Sequence, residues 1–282
     1  MTDSRSSLSV TTLTTAHLSQ ALTLSEALNW PYRQEDWDFA LQLGHGLAVE
    51  VHGRLCATAL WWLYEDAFAS CGIIIVSSAM QHQGIGSLLM EELLRRTQGR
   101  TVILRSTREG RRLYERKGFL PYGEVNQHQG ILAASPPKRP TADIRPLLAA
   151  DLPVVFQLDQ RASGMGRARL LEALVARGSM VVMERSKIIS GYACIRRWGR
   201  GVVIGPVVAG TTADAKALIE AHLASQVGNF VRIDVPETSG LSPWLVEMGL
   251  SRVNQVTSMF RGHPLRTSAD ATLFALSSQS MG

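Results

Sequence analysis

Hydrophobic residues recur along this chain with two different spacings, and the two spacings alternate in a regular order. Continuous or alternating apolar positions predict strands, whereas apolar positions three and four residues apart predict helices. In the first half, strands are predicted at residues 8–13, 46–51, 55–63, 68–76 and 101–104, and helices at 15–27, 35–43, 88–96 and 108–117. This order of elements indicates an α/β fold with a mixed sheet.

The second half of the chain repeats the beginning of the same pattern. Strands are predicted at residues 143–147, 179–184, 188–197, 202–208 and 230–235, with helices starting at Asp151 and covering 168–176 and 212–225. Residues 133–142 contain three prolines, which prevent regular structure and favour a semi-rigid linker. The pattern therefore predicts two domains of one plan, residues 1–132 and 143–282, joined by the linker 133–142.

A glycine-bearing loop joins the strand at 68–76 to the helix at 88–96. It reads Gln81-His82-Gln83-Gly84-Ile85-Gly86-Ser87. The glycines let the backbone approach a ligand, and the free N–H groups at the helix start favour an anion such as a pyrophosphate. The loop has no lysine, which excludes a Walker loop, and Leu89 stands where a dinucleotide fingerprint needs a third glycine. The alternative is an ordinary glycine-bearing helix start without a ligand.

A second motif follows at residues 113–119, which read Leu-Tyr-Glu-Arg-Lys-Gly-Phe. Its glycine, Gly118, suits the end of a helix. Together with Gln81, Gly84 and Gly86, this motif resembles the GNAT N-acetyltransferases, whose acetyl-CoA loop has the pattern Gln/Arg-x-x-Gly-x-Gly/Ala. The resemblance implies two tandem GNAT acyl-CoA N-acyltransferase folds, of which the first carries both motifs.

The resemblance also implies roles for particular residues of the first half. The expected cosubstrate is acetyl-CoA, and no metal is expected. Tyr114 is the expected general acid for the CoA thiolate, and Trp30 and Tyr32 are expected to line the acceptor pocket. The residues expected to bind acetyl-CoA are Ile74, Ile75 and Val76 through backbone N–H groups at the thioester carbonyl, Gln81, His82, Gln83, Gly84, Ile85, Gly86 and Ser87 around the pyrophosphate, and Ser106 and Thr107.

The sequence leaves the general base open. Many GNAT proteins place an acid on the strand that precedes the glycine loop, but residues 68–75 contain none. The remaining candidates are His45, Glu50, Glu65 and His128, and a chain of water molecules is a further alternative. Relatives tend to carry Asp-Ala-Thr at the end of the following strand, where this chain has Arg105, Ser106 and Thr107. The arginine suggests an anionic group on the acceptor.

The second half lacks the motifs that carry the chemistry. Its corresponding loop, residues 208–215, has no Gly-x-Gly and places the acid Asp214 where a pyrophosphate would lie. Trp244 and Leu245 stand near the position of the tyrosine. We therefore predict a divergent GNAT-like domain without a pyrophosphate loop. The whole chain resembles bacterial tandem GNAT proteins, whose second half carries Ile-Gly-Pro, here residues 204–206, and Ile-Asp-Val-Pro, here residues 233–236.

Composition agrees with an enzyme in the cytoplasm. Among the 282 residues, 45% are hydrophobic and 19% are charged, and no apolar run approaches the roughly 18 residues that span a bilayer. The N-terminus lacks the basic-then-apolar pattern of a signal peptide. The three cysteines form an odd, sparse set that suggests reduced thiols, and the seven histidines show no metal-ligand spacing. The net charge of +5 is expected beside an anionic ligand, and no nucleic-acid-binding motif accompanies it.

These patterns predict an enzyme that moves an acetyl group from acetyl-CoA to a primary amine of a small molecule by direct attack. Two alternatives remain open. One is a non-catalytic regulator that binds acyl-CoA, and the other is a transferase that acts on a protein N-terminus or a lysine. We expect no membrane partner, and the sequence is compatible with a monomer or a homodimer.

Overall fold

The computed structural model describes residues 9–134 and 143–282, and in them the chain forms one 13-stranded mixed sheet covered by helices. The sheet confirms the predicted α/β class. The strands are β1 Val10–Thr12, β2 His45–Val51, β3 Arg54–Tyr64, β4 Phe68–Val76, β5 Thr101–Ser106, β6 Leu120–Ile131, β7 Ile144–Pro146, β8 Gly178–Arg185, β9 Ile188–Trp198, β10 Gly201–Ala209, β11 Phe230–Pro236, β12 Ser251–Arg261 and β13 Thr272–Ala275. The helices are α1 Leu18–Glu26, α2 Gln34–Leu43, α3 Ile85–Arg96, α4 Arg111–Arg116, α5 Leu152–Ser163, α6 Ala168–Arg177, α7 Thr212–Leu223 and α8 Ser242–Glu247.

The two halves of the chain exchange strands at the centre of the sheet. The strand order is β1-β2-β3-β4-β5-β12-β6-β11-β10-β9-β8-β7, with β13 on β10. Thus β12 of the second half lies between β5 and β6 of the first half, and β6 in turn pairs with β11. The division at residues 133–142 stays a prediction, and residues 135–142 of that linker lie outside the described residues.

One hydrophobic cluster contains residues of both halves. It includes Trp37 and Trp62 from the first half and Tyr192 and Trp198 from the second. Residues of α1 and α2 belong to this cluster together with residues of α5 and α6, whereas α3 packs on the opposite face of the first-half strands. The large side chains of each half bury apolar surface against the other half. This removal of apolar surface from water holds the two halves together.

Each half contains a pair of parallel strands that separate after a short paired stretch. In the first half, β4 and β5 pair only from Phe68–Thr101 to Ser70–Ile103. Beyond that point a bulge changes the pairing of β4 with β3, and Ile73 in the bulge has a φ of 51°. The Thr58 hydroxyl donates to the carbonyl oxygen of Ile73 at 3.0 Å, which holds this conformation. The result is a V-shaped gap between β4 and β5.

The equivalent gap in the second half is filled by the chain itself. Strands β10 and β11 pair at Val202–Val231 and Val203–Arg232, and β13 then pairs antiparallel with β10. The backbone N–H of Leu276, directly after β13, donates to the carbonyl oxygen of Asp234 on β11 at 2.9 Å. The segment from β13 to Leu276 therefore bridges the two diverging strands, and it leaves no comparable gap.

Gly205 tests how tightly this segment fits. A Cβ at position 205 would lie 1.9 Å from the Leu276 carbonyl oxygen, and the φ of Gly205 is 150°. We expect Gly205→Ala to lower the free energy of unfolding by about 2–4 kcal/mol, because either the backbone or the inserted segment must move. Urea denaturation followed by circular dichroism measures this.

The matched control is Gly210→Ala. A Cβ at that exposed position would meet its nearest atom, the Asp270 carbonyl oxygen, at an ordinary 3.6 Å. We expect Gly210→Ala to change stability by about 1 kcal/mol or less. Equal effects of the two substitutions would contradict the tight fit of the segment at Gly205.

Candidate active site

The glycine loop forms an exposed helix start, as its sequence predicts. Strand β4 ends at Val76, a short 3-10 turn covers Ser78–Met80, and α3 begins at Ile85. Gly84 is the N-terminal cap with a φ of 83°, and a Cβ there would meet no atom within 4 Å. The first turn of α3 contains no acidic residue. The N–H groups of this turn have no partners within the helix, and the helix dipole makes this end favourable for an anion.

The side chains of the loop mostly hold the loop itself. The Gln81 amide donates to the Val76 carbonyl oxygen at 3.2 Å, and the Gln83 amide donates to the Ala79 carbonyl oxygen at 3.3 Å. Ile85 is 1% exposed and packs in the core, so only its backbone can meet a ligand. His82 has a φ of 63°, which makes the turn compact. The arrangement is suited to binding an anion through the backbone.

The V-shaped gap lies beside this loop. Ile74, Ile75 and Val76 form the last part of β4, beyond the final residue pair with β5 at Ser70. Their edge towards β5 is therefore outside the ladder between these two strands. Backbone donors in such a gap can face an added ligand strand or a carbonyl group. Their assignment as donors to the thioester carbonyl stays a prediction.

Tyr114 lies in α4 on the same face of the sheet as α3. It is 8% exposed, its ring packs edge-on against Phe119 at 6.0 Å, and Gly118, with a φ of 81°, ends the helix. Burial, with a further contribution from Cys71 on β4, raises the pKa of the Tyr114 hydroxyl above its ordinary value. The hydroxyl is protonated at neutral pH, as a tyrosine with its ordinary pKa also is. Burial likewise raises the pKa of the Cys71 thiol to about 12.

Ser106 and Thr107 shape the turn between β5 and α4. The Ser106 hydroxyl donates to the Thr107 carbonyl oxygen at 2.7 Å, and the Gly110 N–H donates to the Thr107 hydroxyl at 3.3 Å. A Cβ on Gly110 would lie 2.9 Å from the Tyr114 ring. The turn thus fixes Tyr114 against the end of β5, and binding of acetyl-CoA by Ser106 and Thr107 stays a prediction.

The acceptor-side residues Trp30 and Tyr32 lie where the halves meet. Their rings are 6.2 Å apart, and Tyr32 also packs edge-on against Trp198 of the second half at 5.4 Å.

Trp37 is fully buried in the core and donates to the Ser25 hydroxyl at 3.1 Å. Asp36 binds its own neighbour Arg33 and accepts from the Gly199 N–H at 2.8 Å. Asp36 therefore joins the two halves, and Tyr32 contributes to an aromatic wall between them.

The candidate general bases are spread over the first half, and none of the four lies on β4 or β5. His45 stacks on Trp61 at 5.3 Å between ring centroids, and Glu50 lies 3.7 Å from His17. Glu65 is an exposed turn residue whose carboxylate rests on Gly166.

Both ring nitrogens of His128 are engaged, with the Leu250 carbonyl oxygen at 2.9 Å and the Ser242 hydroxyl at 3.0 Å. His128 is thus a structural residue.

Arg105 lies beside the gap, as its place at the end of β5 requires. Its Nε and Nη1 atoms are buried and have no hydrogen-bond partner within the described part of the chain. A Cβ on Gly282 would lie 3.5 Å from Arg105 Nη1. The segment around Gly282 therefore reaches the gap. An anionic group on the acceptor stays a prediction.

Sequence reasoning missed this segment, residues 277–282. It lies against β4, where a Cβ on Gly72 would be 2.7 Å from the Cβ of Ser280. The Tyr64 hydroxyl donates to the Met281 carbonyl oxygen at 2.5 Å. The run Ser-Ser-Gln-Ser-Met-Gly has neither helical nor strand periodicity, so nothing in the pattern marks it as part of a site. The one signal in the sequence is the glycine at position 72, where a side chain would collide with Ser280.

Within residues 9–134 and 143–282, no group of three or more His, Cys, Asp or Glu side chains could hold a metal ion. In the same residues, no helix is long and apolar enough to cross a membrane.

Both halves match known domain families. Residues 42–121 match a family model described as an acetyltransferase (GNAT) domain, and residues 155–275 match a second model of the same description. The chain is 26% identical over 274 residues to YitH of Bacillus subtilis (strain 168), named as an uncharacterised N-acetyltransferase. That alignment covers 94% of this chain and 95% of YitH.

Solved structures share the whole fold. A protein from Pyrococcus horikoshii assigned as an acetyltransferase superposes with a TM-score of 0.83 and 20% identity, covering 98% of this chain and 96% of its own. A tandem GNAT protein from the clavulanic acid biosynthesis pathway superposes with a TM-score of 0.63 and 15% identity, covering 91% and 99%. At these identities the likeness shows the shared fold of two joined halves.

Ser87, in the first turn of α3, tests the anion site. We expect Ser87→Asp to weaken acetyl-CoA binding about ten-fold or more, because a repulsion of ~1.4 kcal/mol is a factor of ten. The helix dipole stabilises a carboxylate in the first turn, and this stabilisation offsets the repulsion between the new carboxylate and Glu91. We therefore expect the Ser87→Asp protein to stay folded. Isothermal titration gives the dissociation constant.

The control is Gln98→Glu, which adds the same charge just after the other end of α3. We expect acetyl-CoA affinity to stay within about two-fold of the unmodified protein, since that end lies away from the loop. If Ser87→Asp bound acetyl-CoA as tightly as Gln98→Glu, the helix start would not hold the pyrophosphate.

Proposed function

We propose that this chain, a tandem member of the GNAT acetyltransferases and an acetyl-CoA-dependent N-acetyltransferase, acetylates the primary amine of a small molecule in its first domain. The observation that carries the assignment to the first domain is the contrast between the two gaps. The gap between β4 and β5 stays open beside an acid-free helix start, whereas β13 fills its counterpart beside β10. Of the two gaps in residues 9–134 and 143–282, the first combines a strand edge beyond its parallel ladder with an acid-free helix start, whereas α7 beside the second has Asp214 in its first turn.

Acetyl-CoA supplies an acetyl group activated as a thioester. The chain's own part begins with binding: the turn at Gly84 presents backbone N–H groups to the pyrophosphate. The edge of β4 at Ile74–Val76 then supplies backbone donors for the carbonyl oxygen. Donors fixed before the reaction stabilise the oxyanion that develops, by a few kcal/mol in comparable sites.

Tyr114 is the proposed general acid. Its hydroxyl is protonated at neutral pH, as any tyrosine is whose pKa is not lowered, and a thiolate leaving group needs a proton donor. Because the pKa is raised, the donor form persists as the pH rises through the ordinary tyrosine range. Its position beside Cys71 on β4 and the turn at Gly110 supports this role.

An enclosed acceptor site supports a small-molecule acceptor. Tyr32 and Trp198 close one side between the two halves, and the segment at residues 277–282 lies against Gly72 on β4. A lysine on a folded protein or an extended peptide would need an open cleft on this face. Both features favour a small amine over a protein acceptor.

Stoichiometry tests the assignment to one domain. We expect isothermal titration to give one acetyl-CoA per chain, because β13 occupies the second gap. Two molecules per chain would mean that β13 is displaced by the ligand. The absence of binding up to millimolar concentration would contradict the transferase itself.

Substitution of Tyr114 tests the mechanism. We expect Tyr114→Phe to lower turnover with a responsive amine from a library screen by about 10²–10⁴-fold, the usual contribution of a general acid. Acetyl-CoA affinity should change by less than about three-fold, since the ring remains. The control is Tyr122→Phe, which alters an exposed tyrosine on β6 and should leave turnover unchanged. Equal turnover of the two variants would show that Tyr114 is not the acid.

A further inference from the structure

Residues 277–282 of the second half form a compact turn that is buried near the gap of the first half. The Ser277 N–H donates to the Gly282 carbonyl oxygen at 3.0 Å, and the Met281 N–H donates to the Ser278 hydroxyl at 3.0 Å. Ser277 is fully buried, and Met281 is 1% exposed. A buried turn with its backbone groups paired is a fixed part of the structure. We call it the end segment.

The second half anchors the end segment on one side. Arg196 is 4% exposed and donates to the Ser277 carbonyl oxygen at 2.9 Å. The Gln279 amide donates to Asp234 on β11 at 3.0 Å. Asp234 is itself held by Arg232 at 2.9 Å. These contacts fix the end segment relative to the filled gap of the second half.

The other side of the end segment packs against the first half. Ser280 lies on Gly72, the residue of β4 directly before the bulge at Ile73. The Tyr64 hydroxyl donates to the neighbouring Met281 carbonyl oxygen at 2.5 Å, and the Tyr32 hydroxyl lies beside the Ser280 side chain. Ser280 is only partly buried. The Ser280 hydroxyl is therefore held in place and is still accessible to a ligand.

The alternation of β4 places Ser280 and Tyr114 on opposite faces of the sheet. Cys71 points to the cluster that contains Tyr114, and the next residue, Gly72, faces Ser280. A thioester bound in the gap would thus have the acid for its leaving group on one face. The opposite face, from which an amine could approach, presents the end segment.

We propose that Ser280 is an acceptor-binding residue of the first-domain site, contributed by the second half of the chain. This inference rests on the proposed function. The Ser280 hydroxyl, which lies beside Tyr32, accepts a hydrogen bond from an N–H of the incoming amine and holds the amine nitrogen near the thioester carbon. Because the end segment occupies much of this face beside Gly72, the acceptor that fits is a small amine.

Directed alkylation tests the position of Ser280 without knowledge of the acceptor. The probe is bromoacetyl-CoA, which carries an electrophilic carbon where acetyl-CoA carries its methyl group. In Ser280→Cys, the cysteine thiolate would attack this carbon, form a sulfur–carbon bond and expel bromide. Mass spectrometry of the intact protein then shows the added CoA thioester. Unmodified protein gives the background from Cys56, Cys71 and Cys194, which are all buried.

The control is Ser268→Cys, at an exposed position outside the end segment. We expect bromoacetyl-CoA to alkylate Ser280→Cys at least about ten-fold faster than Ser268→Cys, since binding raises the local concentration of the probe. Excess CoA should abolish the difference. In addition, Ser280→Ala should raise KM for a responsive amine and leave acetyl-CoA affinity unchanged.

Two results would overturn the proposal. If Ser280→Cys bound acetyl-CoA normally in a titration but reacted no faster than Ser268→Cys, Ser280 would lie away from the acetyl group. If labelling were fast but insensitive to excess CoA, the thiol at position 280 would react outside the acetyl-CoA site, and Ser280 would not belong to that site. A failure of the unmodified protein to bind acetyl-CoA would instead overturn the proposed function, and this inference with it, and the titration separates that case from the first.

Discussion

Backbone groups that lose their partners where two parallel strands separate impose the main constraint on this structure. Strands β4 and β5 diverge after Ser70, and β10 and β11 diverge after Val203. Buried N–H and C=O groups must be paired, so each gap requires something to bind. In the second half the requirement is met by β13 and Leu276. In the first half we propose that a ligand fills the gap, with the glycine turn at its end as the anion site.

The exchange of strands supports both gaps. When β5 leaves β4, its other edge is held by β12, from Thr257–Ser106 to Arg261–Val102. The position of β5 is thereby fixed by the second half of the chain. A gap with rigid sides costs little reorganisation when a ligand enters, which is the condition for electrostatic stabilisation by backbone donors. The second half thus has a physical role in the site although it lacks the motifs of the first.

The local pattern of hydrophobic residues predicted the helices and strands better than it predicted which strands pair. The strand at 68–76 and the helix at 168–176 agree with β4 and α6 to within one residue at each end. The helix predicted at 88–96 begins three residues earlier, at Ile85, because the apolar spacing becomes visible only after the glycines. The pairing of β12 with β5 joins residues about 150 positions apart, and periodicity carries no information about such partners. The end segment was missed for a related reason: its polar residues are buried through hydrogen bonds, not through apolar area.

The exchanged strand β12 also has a consequence for synthesis of the chain. It emerges from the ribosome after the 250 residues that precede it in the sequence, yet it occupies the space between β5 and β6 in the middle of the sheet. Until it arrives, the edge of β5 has no neighbour on that side, and an unpaired strand edge is a template for wrong pairing. Folding of the first half therefore cannot finish during translation as an independent unit would. A ribosome-bound fragment that ends before Ser251 should depend on chaperones, or on slow translation, to keep that edge from aggregating.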